Sequence, residues 1–452
     1  MANTTAPNSF LPRYEQVPSN ATPKEPSDEL QRHNGQILRQ RLLALSLTMS
    51  LLLTTVLSCF FFRSFSFTTA SVGNTTTNNS PINTTTRPDR PILRFRPNNN
   101  NNNNNGTFKI LQLTDLHLGE AENLDWGPND DRKTYHVLSR LIQLESPDLI
   151  VLSGDQLTAN NVDDNATAYY QQLGSFLNGY KVPYAMIFGN HDDADLEVAV
   201  DNGIDSNSHD NNETIHRFPA KTKRPTLVQT DQQQPYSLTE AGPNDIFGVS
   251  NYILNVYPTR GVGRTDTTPR NDSLPLVQIV LLDSGGGSLQ QDIQQSQLEW
   301  VRSVRKTNVT GVVFQHIPTT QFGFHHDRCS GFQGEGVASL HRDDGLLDSL
   351  DPMVSFVAVG HDHGNSYCCR NDYNHTDDEY RNDNDRDDTN QVHLCFGRHS
   401  GYGGYGSWER GGRVYLLEQH ESDDVEEIRD TIQWRSWVRL ESGEVIDEYR
   451  PT

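Results

Sequence analysis

Six short apolar runs in this 452-residue chain each run directly into a residue able to bind metal or move a proton. The runs are FKILQLT (108–114), PDLIVLSG (147–154), YAMIFGN (184–190), LVQIVLLD (276–283), GVVFQH (311–316) and VSFVAVGH (354–361). Their endings are Asp115 with His117, Asp155, Asn190 with His191, Asp283, His316, and His361 with His363. Continuous β-branched and aliphatic runs of this length suit strands buried on both faces. Between the first two, Val137, Leu138, Leu141, Ile142 and Leu144 recur at helical spacing, and SQLEWVRSV (296–304) does the same before the fifth. Strand, helix, strand is the βαβ unit, which predicts α/β architecture. Ligands in open α/β sheets bind at the carboxyl ends of the strands. The endings are therefore expected to meet in one place, and a purely structural demand would more often end such runs in Gly, Ser or Pro.

A lone His-x-His pair such as His361 and His363 carries no meaning without neighbours. With them, the residue types fit two divalent metals sharing one carboxylate. Imidazole suits Zn, Fe and Mn, whereas carboxylate or amide oxygen suits Mn and Mg. Two such ions about 4 Å apart hold a phosphoryl group and bring the pKa of a bridging water towards neutrality, so that hydroxide attacks phosphorus in line. Gly154 and Gly189 are read as leaving room for backbone to approach an ion.

The stretches TDLHLG, LSGDQ, FGNHDD, FQHIPTT and GHDH occur in this order. They resemble the five blocks of the calcineurin-like metallophosphoesterases, over about residues 108–443. Two further stretches, QGEGVASL (333–340) and the segment from GHDHGNSYCC to LCFGRHSGYGGYG, resemble the short purple-acid-phosphatase-related branch of plants and fungi. The resemblance implies a two-sheet β-sandwich flanked by helices. It implies that Asp115, His117 and His363 bind a first metal, that Asn190, His316 and His361 bind a second, and that Asp155 bridges both. His191 would stabilise the phosphoryl oxygens or protonate the leaving group, and Asp192 would orient its imidazole, although Asp192 could instead cap a helix. True purple acid phosphatases place a metal-binding Tyr three residues after the Gly-Asp aspartate. Here that position is Thr158, so a colourless pair of divalent ions (Mn, Zn or Fe) is expected.

The implied function is a dinuclear-metal phosphatase that hydrolyses phosphomonoesters, small esters or phosphoproteins, by attack of a metal-bridging hydroxide. The alternatives are a phosphodiesterase acting on nucleotides or lipid headgroups, and a non-catalytic phospho-ligand-binding pseudo-phosphatase. Around the site, Asp283 reads as a turn-former more than a participant, His325, His326, His393 and His399 as solvated loop histidines in preference to lining the substrate groove, and GYGGYG (401–406) as a tight loop near the metals in preference to a binding element.

Apolar residues make up only 34% of the chain, so part of it must be unpacked polar sequence. The tail 1–41 and the Asn/Thr-rich stalk 63–107 are read as disordered, the phosphoesterase domain as 108–452, and 374–390 as an acidic loop inserted into it. Between tail and stalk, residues 42–62 carry no charge, Gly or Pro, and match the roughly 20 residues needed to span a bilayer. Lys24, Arg32, Arg39 and Arg41 precede that span and only Arg63 closely follows, which predicts an uncleaved transmembrane signal anchor with the catalytic domain lumenal or extracellular. Nine Asn-x-Ser/Thr sequons follow the span, as expected of a secretory-pathway glycoprotein. Outside the span there are four cysteines, Cys329, Cys368, Cys369 and Cys395. They allow three full disulfide pairings, or four reduced thiols. A net charge of -22 argues against nucleic-acid binding through phosphate contacts.

Overall fold

The computed structural model describes residues 90–97, 106–162, 165–201, 213–259, 274–323, 329–371, 392–420 and 431–451. The tail, the 42–62 segment, most of the 63–107 stalk, the 374–390 insertion, His325 and His326 lie outside these residues. Among the described residues, no helix is long and apolar enough to cross a membrane.

The six apolar runs become the strands at the heart of two sheets. In chain order the described strands are β1 (Leu93–Arg94), β2 (Arg96–Pro97), β3 (Gly106–Leu113), β4 (Leu149–Ser153), β5 (Tyr184–Ile187), β6 (Leu196–Asp201), β7 (Glu213–Phe218), β8 (Tyr252–Tyr257), β9 (Val277–Leu281), β10 (Thr310–Phe314), β11 (Cys329–Gln333), β12 (Val354–Val359), β13 (Asn365–Arg370), β14 (His393–Phe396), β15 (Gly411–His420), β16 (Thr431–Leu440) and β17 (Val445–Tyr449). One sheet has the order β1-β8-β9-β10-β12-β14-β13-β11, and the other β17-β16-β15-β3-β4-β5 with β2 paired to β3. Strands β6 and β7 form a separate hairpin. Pairing is parallel from β3 through β5 and from β9 through β14, so both sheets point their parallel carboxyl ends at one rim. Helices Gly127–Glu145 and Ala166–Asn178 make the crossovers in the first of these stretches, and Gln295–Val304 joins β9 to β10.

Side chains alternate across each strand. Phe108, Ile110, Val151 and Ile187 from one sheet meet Ile279, Val312, Phe314 and Phe356 from the other in a shared core. Their sequence neighbours turn outward. Leu111, Leu113 and Leu152 pack on Val137, Leu138 and Leu141 of the first helix, while Val280 and Val313 pack on Leu298 and Val301. The order is helix, sheet, sheet, helix, and each fully buried Leu, Ile or Val contributes roughly 1.5–3 kcal/mol to holding it.

Residues 93–97 correct the stalk boundary at 107. Leu93 pairs with Val256 and Arg96 with Thr107, and Leu93 and Phe95 are buried. The alternation Leu-Arg-Phe-Arg is a short strand pattern hidden among prolines and asparagines. The cysteines form Cys329–Cys369 and Cys368–Cys395. Adjacent residues of β13 face opposite ways, yet each lies directly across from a cysteine, on β11 and on β14.

Candidate metal centre

Three of the site loops leave their strands through backbone that side chains seldom adopt. Asp115, His117, Asp155 and His361 have φ of 56°, 47°, 52° and 76°. Such conformations cost about 1–3 kcal/mol each and persist only where the surroundings enforce them. Here the loops enforce one another. Asp115 N–H donates to Gly154 O (3.1 Å), His117 N–H to Asp155 O (3.0 Å), His191 N–H to Asp155 Oδ1 (2.7 Å) and His361 N–H to Asp115 Oδ1 (3.2 Å).

These loops bring seven residues to one place. Donor atoms of Asp115, His117 and His363 lie within 4.8 Å of one another, and so do those of Asp155, His316 and His361. Asp155 Oδ2 is 3.1 Å from His316 Nε2 and 3.7 Å from His117 Nε2, so its carboxylate lies between the two groups. Asn190 Oδ1 is 3.2 Å from His316 Nε2.

The donor set fits two cations. His316 Nδ1 donates to the Ser153 carbonyl and His363 Nδ1 to the Tyr405 carbonyl, both at 2.9 Å. A carbonyl only accepts, so Nδ1 carries a proton in both rings and Nε2 is the nitrogen that faces inward. His117 Nδ1 lies 3.1 Å from the Thr158 hydroxyl, which leaves its Nε2 only 3.1 Å from that of His363. Two ring nitrogens so close need a shared proton or a cation between them. Burial holds the His117 imidazole well below its usual range, and burial with the neighbouring His316 pushes His361 down to about 3. Both rings are therefore neutral donors. Burial works against charge on Asp155 too, but His316 and His191 hold its carboxyl well below the usual carboxylate range. Thr158, at the position of the missing tyrosine, orients the His117 ring.

Three expectations from sequence need correction. The first concerns Asp192, whose carboxylate does not reach the His191 ring. It accepts backbone N–H groups from Asp155 (3.0 Å), Gln156 (2.9 Å), Leu157 (3.1 Å) and Gly189 (2.8 Å), and the Tyr170 hydroxyl (3.2 Å). Asp192 staples the Asp155 loop to the Asn190 loop. The His191 ring instead has Nδ1 3.3 Å from Asn160 Oδ1, a residue the sequence reading missed. The second concerns the glycines. A Cβ on Gly154 would fall 2.3 Å from His316 Nδ1, and one on Gly189 2.2 Å from Asp155 Oδ1. They make room for side chains that hold the site, where the sequence reading had backbone approaching an ion. The third concerns the histidines: His393 and His399 are buried, not solvated. His393 pairs with the Tyr449 hydroxyl (2.7 Å), and His399 packs on His363 with ring centroids 3.9 Å apart.

Asp283, read as a turn-former, accepts from Val249 and Gly285 N–H but also pairs with the fully buried Arg224. Arg224 also pairs with Asp193 and donates to the carbonyls of Gly189 and Gly286. No local pattern marks Arg224, since its role depends on loops far apart in the chain. The 401–406 loop lies against the metal ligands, with Gly404 beside His117 and His363. His117, Asp155, His361 and His363 floor a cleft of about 490 Å³ whose walls include Glu120, Asn160, His191, Asp362 and Tyr405.

The chain is similar to several known proteins. Phosphatase DCR2 of Saccharomyces cerevisiae is 28% identical over 358 residues, 70% of this chain, and the match spans about half (53%) of that protein. Probable inactive purple acid phosphatase 28 of Arabidopsis thaliana is 26% identical over 390 residues, covering 79% of this chain and 83% of its own. A dimetal phosphatase from Danio rerio aligns over 76% of this chain and 98% of its own, at a TM-score of 0.42 and 12% identity. The family model described as calcineurin-like phosphoesterase matches residues 108–365, more than half of the chain. This chain belongs to the calcineurin-like phosphoesterase family.

Proposed function

We propose that this protein is a dinuclear-metal phosphatase acting on phosphomonoesters. The observation that carries the reading is the pair of buried donor groups meeting at Asp155 on the floor of a cleft, with His191 on its wall. Asp115, His117 and His363 would hold one ion, Asn190, His316 and His361 the other, and Asp155 both. Bound there, two divalent ions supply Lewis-acid charge to phosphoryl oxygens and acidify water. The chain's own part is to place the substrate. His191, steadied at Nδ1 by Asn160, presents Nε2 to a phosphoryl or leaving-group oxygen, where it donates a hydrogen bond or proton. Asp192 fixes the two loops that carry Asp155 and Asn190.

The cleft wall disfavours substrates that carry a second anionic group beside the reacting phosphate. Its described lining carries Glu120 and Asp362 and neither Lys nor Arg, so a second anionic group on the substrate would find no partner. The relatives named probable inactive purple acid phosphatases raise the non-catalytic reading. Against it stands the full donor set with His191 in place. Turnover of para-nitrophenyl phosphate well above that of its bis ester supports the proposal. The reverse order supports the phosphodiesterase reading, and bound metal without turnover of either supports the pseudo-phosphatase. Because Thr158 turns to His117, the purified enzyme is expected to be colourless with Mn, Zn or Fe(II). An intense visible band bleached by reductant would refute that.

We further propose that residues 42–62 anchor the chain in a secretory-pathway membrane, with the phosphoesterase domain lumenal or extracellular. The arginine asymmetry supports this topology, and paired cysteines suit an oxidising compartment. Carbonate washing should leave the full-length protein in the membrane, and glycosidase should shift its mobility. A protein that washes off and begins near residue 70 would show a cleaved signal instead.

A further inference from the structure

Tyr405 occupies an unusual position in the cleft. Its ring lies flat on His363, with centroids 4.0 Å apart and planes 10° from parallel. Its carbonyl accepts the His363 Nδ1 proton at 2.9 Å, and its hydroxyl accepts His363 N–H at 3.2 Å. The same hydroxyl donates to Glu335 Oε1 at 2.9 Å. Two contacts from one residue thus fix the His363 imidazole, and a third holds its backbone amide. The loop behind it has no slack, because Gly404 N–H donates to Glu120 and His399 Nε2 donates to the Gly403 carbonyl. Yet Tyr405 is 50% exposed, whereas His363 is only 2% exposed, and the tyrosine forms part of the cleft wall. Positioning His363 needs only one face of the ring and the carbonyl. The Trp408 ring meets it edge-on, with centroids 6.3 Å apart, and the part of the Tyr405 ring that lines the cleft is a flat apolar surface beside the proposed phosphoryl site, open to a leaving group.

We infer that Tyr405 is both the positioning residue for His363 and the selectivity residue of the cleft, stacking on a flat, uncharged leaving group, so that aryl phosphate monoesters are preferred over alkyl ones. The inference rests on the phosphoester-hydrolase reading above. Aromatic stacking of this kind corresponds to roughly a 3- to 10-fold preference.

The test uses the full-length, metal-loaded protein and two non-hydrolysable probes, phenylphosphonate and methylphosphonate, titrated by calorimetry. Wild type should bind the phenyl probe about 3- to 10-fold more tightly. Tyr405→Phe should keep that ratio, and Tyr405→Leu should bring it close to one. In turnover, Tyr405→Leu should raise KM for para-nitrophenyl phosphate more than for glycerol 2-phosphate. An unchanged probe ratio in Tyr405→Leu overturns the inference, as does equal loss for both substrates with metal retained, which marks a merely structural role. If Tyr405→Leu loads no metal, Tyr405→Trp decides: its larger ring should raise the ratio, and an unchanged ratio overturns the inference. Phosphonate preference without turnover of any ester would sink the phosphatase reading and leave the stacking subsite standing.

Discussion

Asp192 is the sharpest place to test the structure against what its position in the chain suggests. It follows His191 directly, yet its carboxylate takes four backbone N–H groups and the Tyr170 hydroxyl at full burial. Asp192→Ala leaves those four amides without acceptors. An unsatisfied buried donor costs about 1–3 kcal/mol, so simple addition gives roughly 4–12 kcal/mol. Water entering the vacated space offsets part of this, and about 4 kcal/mol is the expected loss, at the severe end for a single substitution. At about 2 °C per kcal/mol for a large domain, Tm should fall by roughly 8 °C. The stapled loops also carry Asp155 and Asn190, so metal retention should fall with it. Asp192→Asn keeps the volume but turns an NH₂ group towards two of the donors, and should lie close to the alanine variant. Asn160→Ala should behave in the opposite way, with Tm nearly unchanged and kcat reduced, because only the His191 ring loses its guide. Melting curves, metal analysis and kcat on each variant make the comparison. An Asp192→Ala protein that melts within about 1 °C of wild type, keeps its metal and loses only kcat would refute the staple.

Other expectations follow from the same geometry. His191→Ala should lower kcat by about 10²–10⁴-fold with metal content unchanged, and an unaltered kcat would remove it from the reaction. Asp155→Ala should instead lose metal from both positions, visible as near-empty protein after dialysis. Gly404→Ala, at φ +74° with its new Cβ 2.5 Å from His363 Cε1, should weaken metal retention without touching His191, and full retention would show the loop to be slack. Glu145 gives a pH signature far from the metals. Burial alone would raise its pKa, but hydrogen bonds from Trp437 and Arg439 hold it below the usual 4.5. A lowered folded-state pKa means stabilisation that is complete above the unfolded value and lost as pH falls through the folded one. Glu145→Gln should therefore lower Tm at pH 7 and converge on wild type as pH falls through the lowered folded-state value, and a gap that widens with acid would contradict the assignment.

What the sequence by itself determined is local and chemical. Continuous apolar runs fit doubly buried strands, and Asp, Asn and His at their ends survive any arrangement of the sheets. Hence the run endings, Asp283 and His191 included, could be gathered before a fold was known, and the family resemblance narrowed the metal ligands to Asp115, His117, Asp155, Asn190, His316, His361 and His363. The runs look alike, however, and nothing in them says that β3, β4 and β5 join one sheet while β9, β10 and β12 join the other. Likewise Asn160 rather than the adjacent Asp192 meets the His191 ring, Thr158 turns to His117, Cys329 finds Cys369, and Arg224 ties Asp193 to Asp283. These were decided only by tertiary structure. Where a side chain points depends on the φ and ψ of its loop, and at this site four left-handed residues are held in place by hydrogen bonds between segments as much as 246 residues apart. Residue order encodes which groups are available, whereas their partners are set by backbone directions that exist only once both sheets have closed on one another.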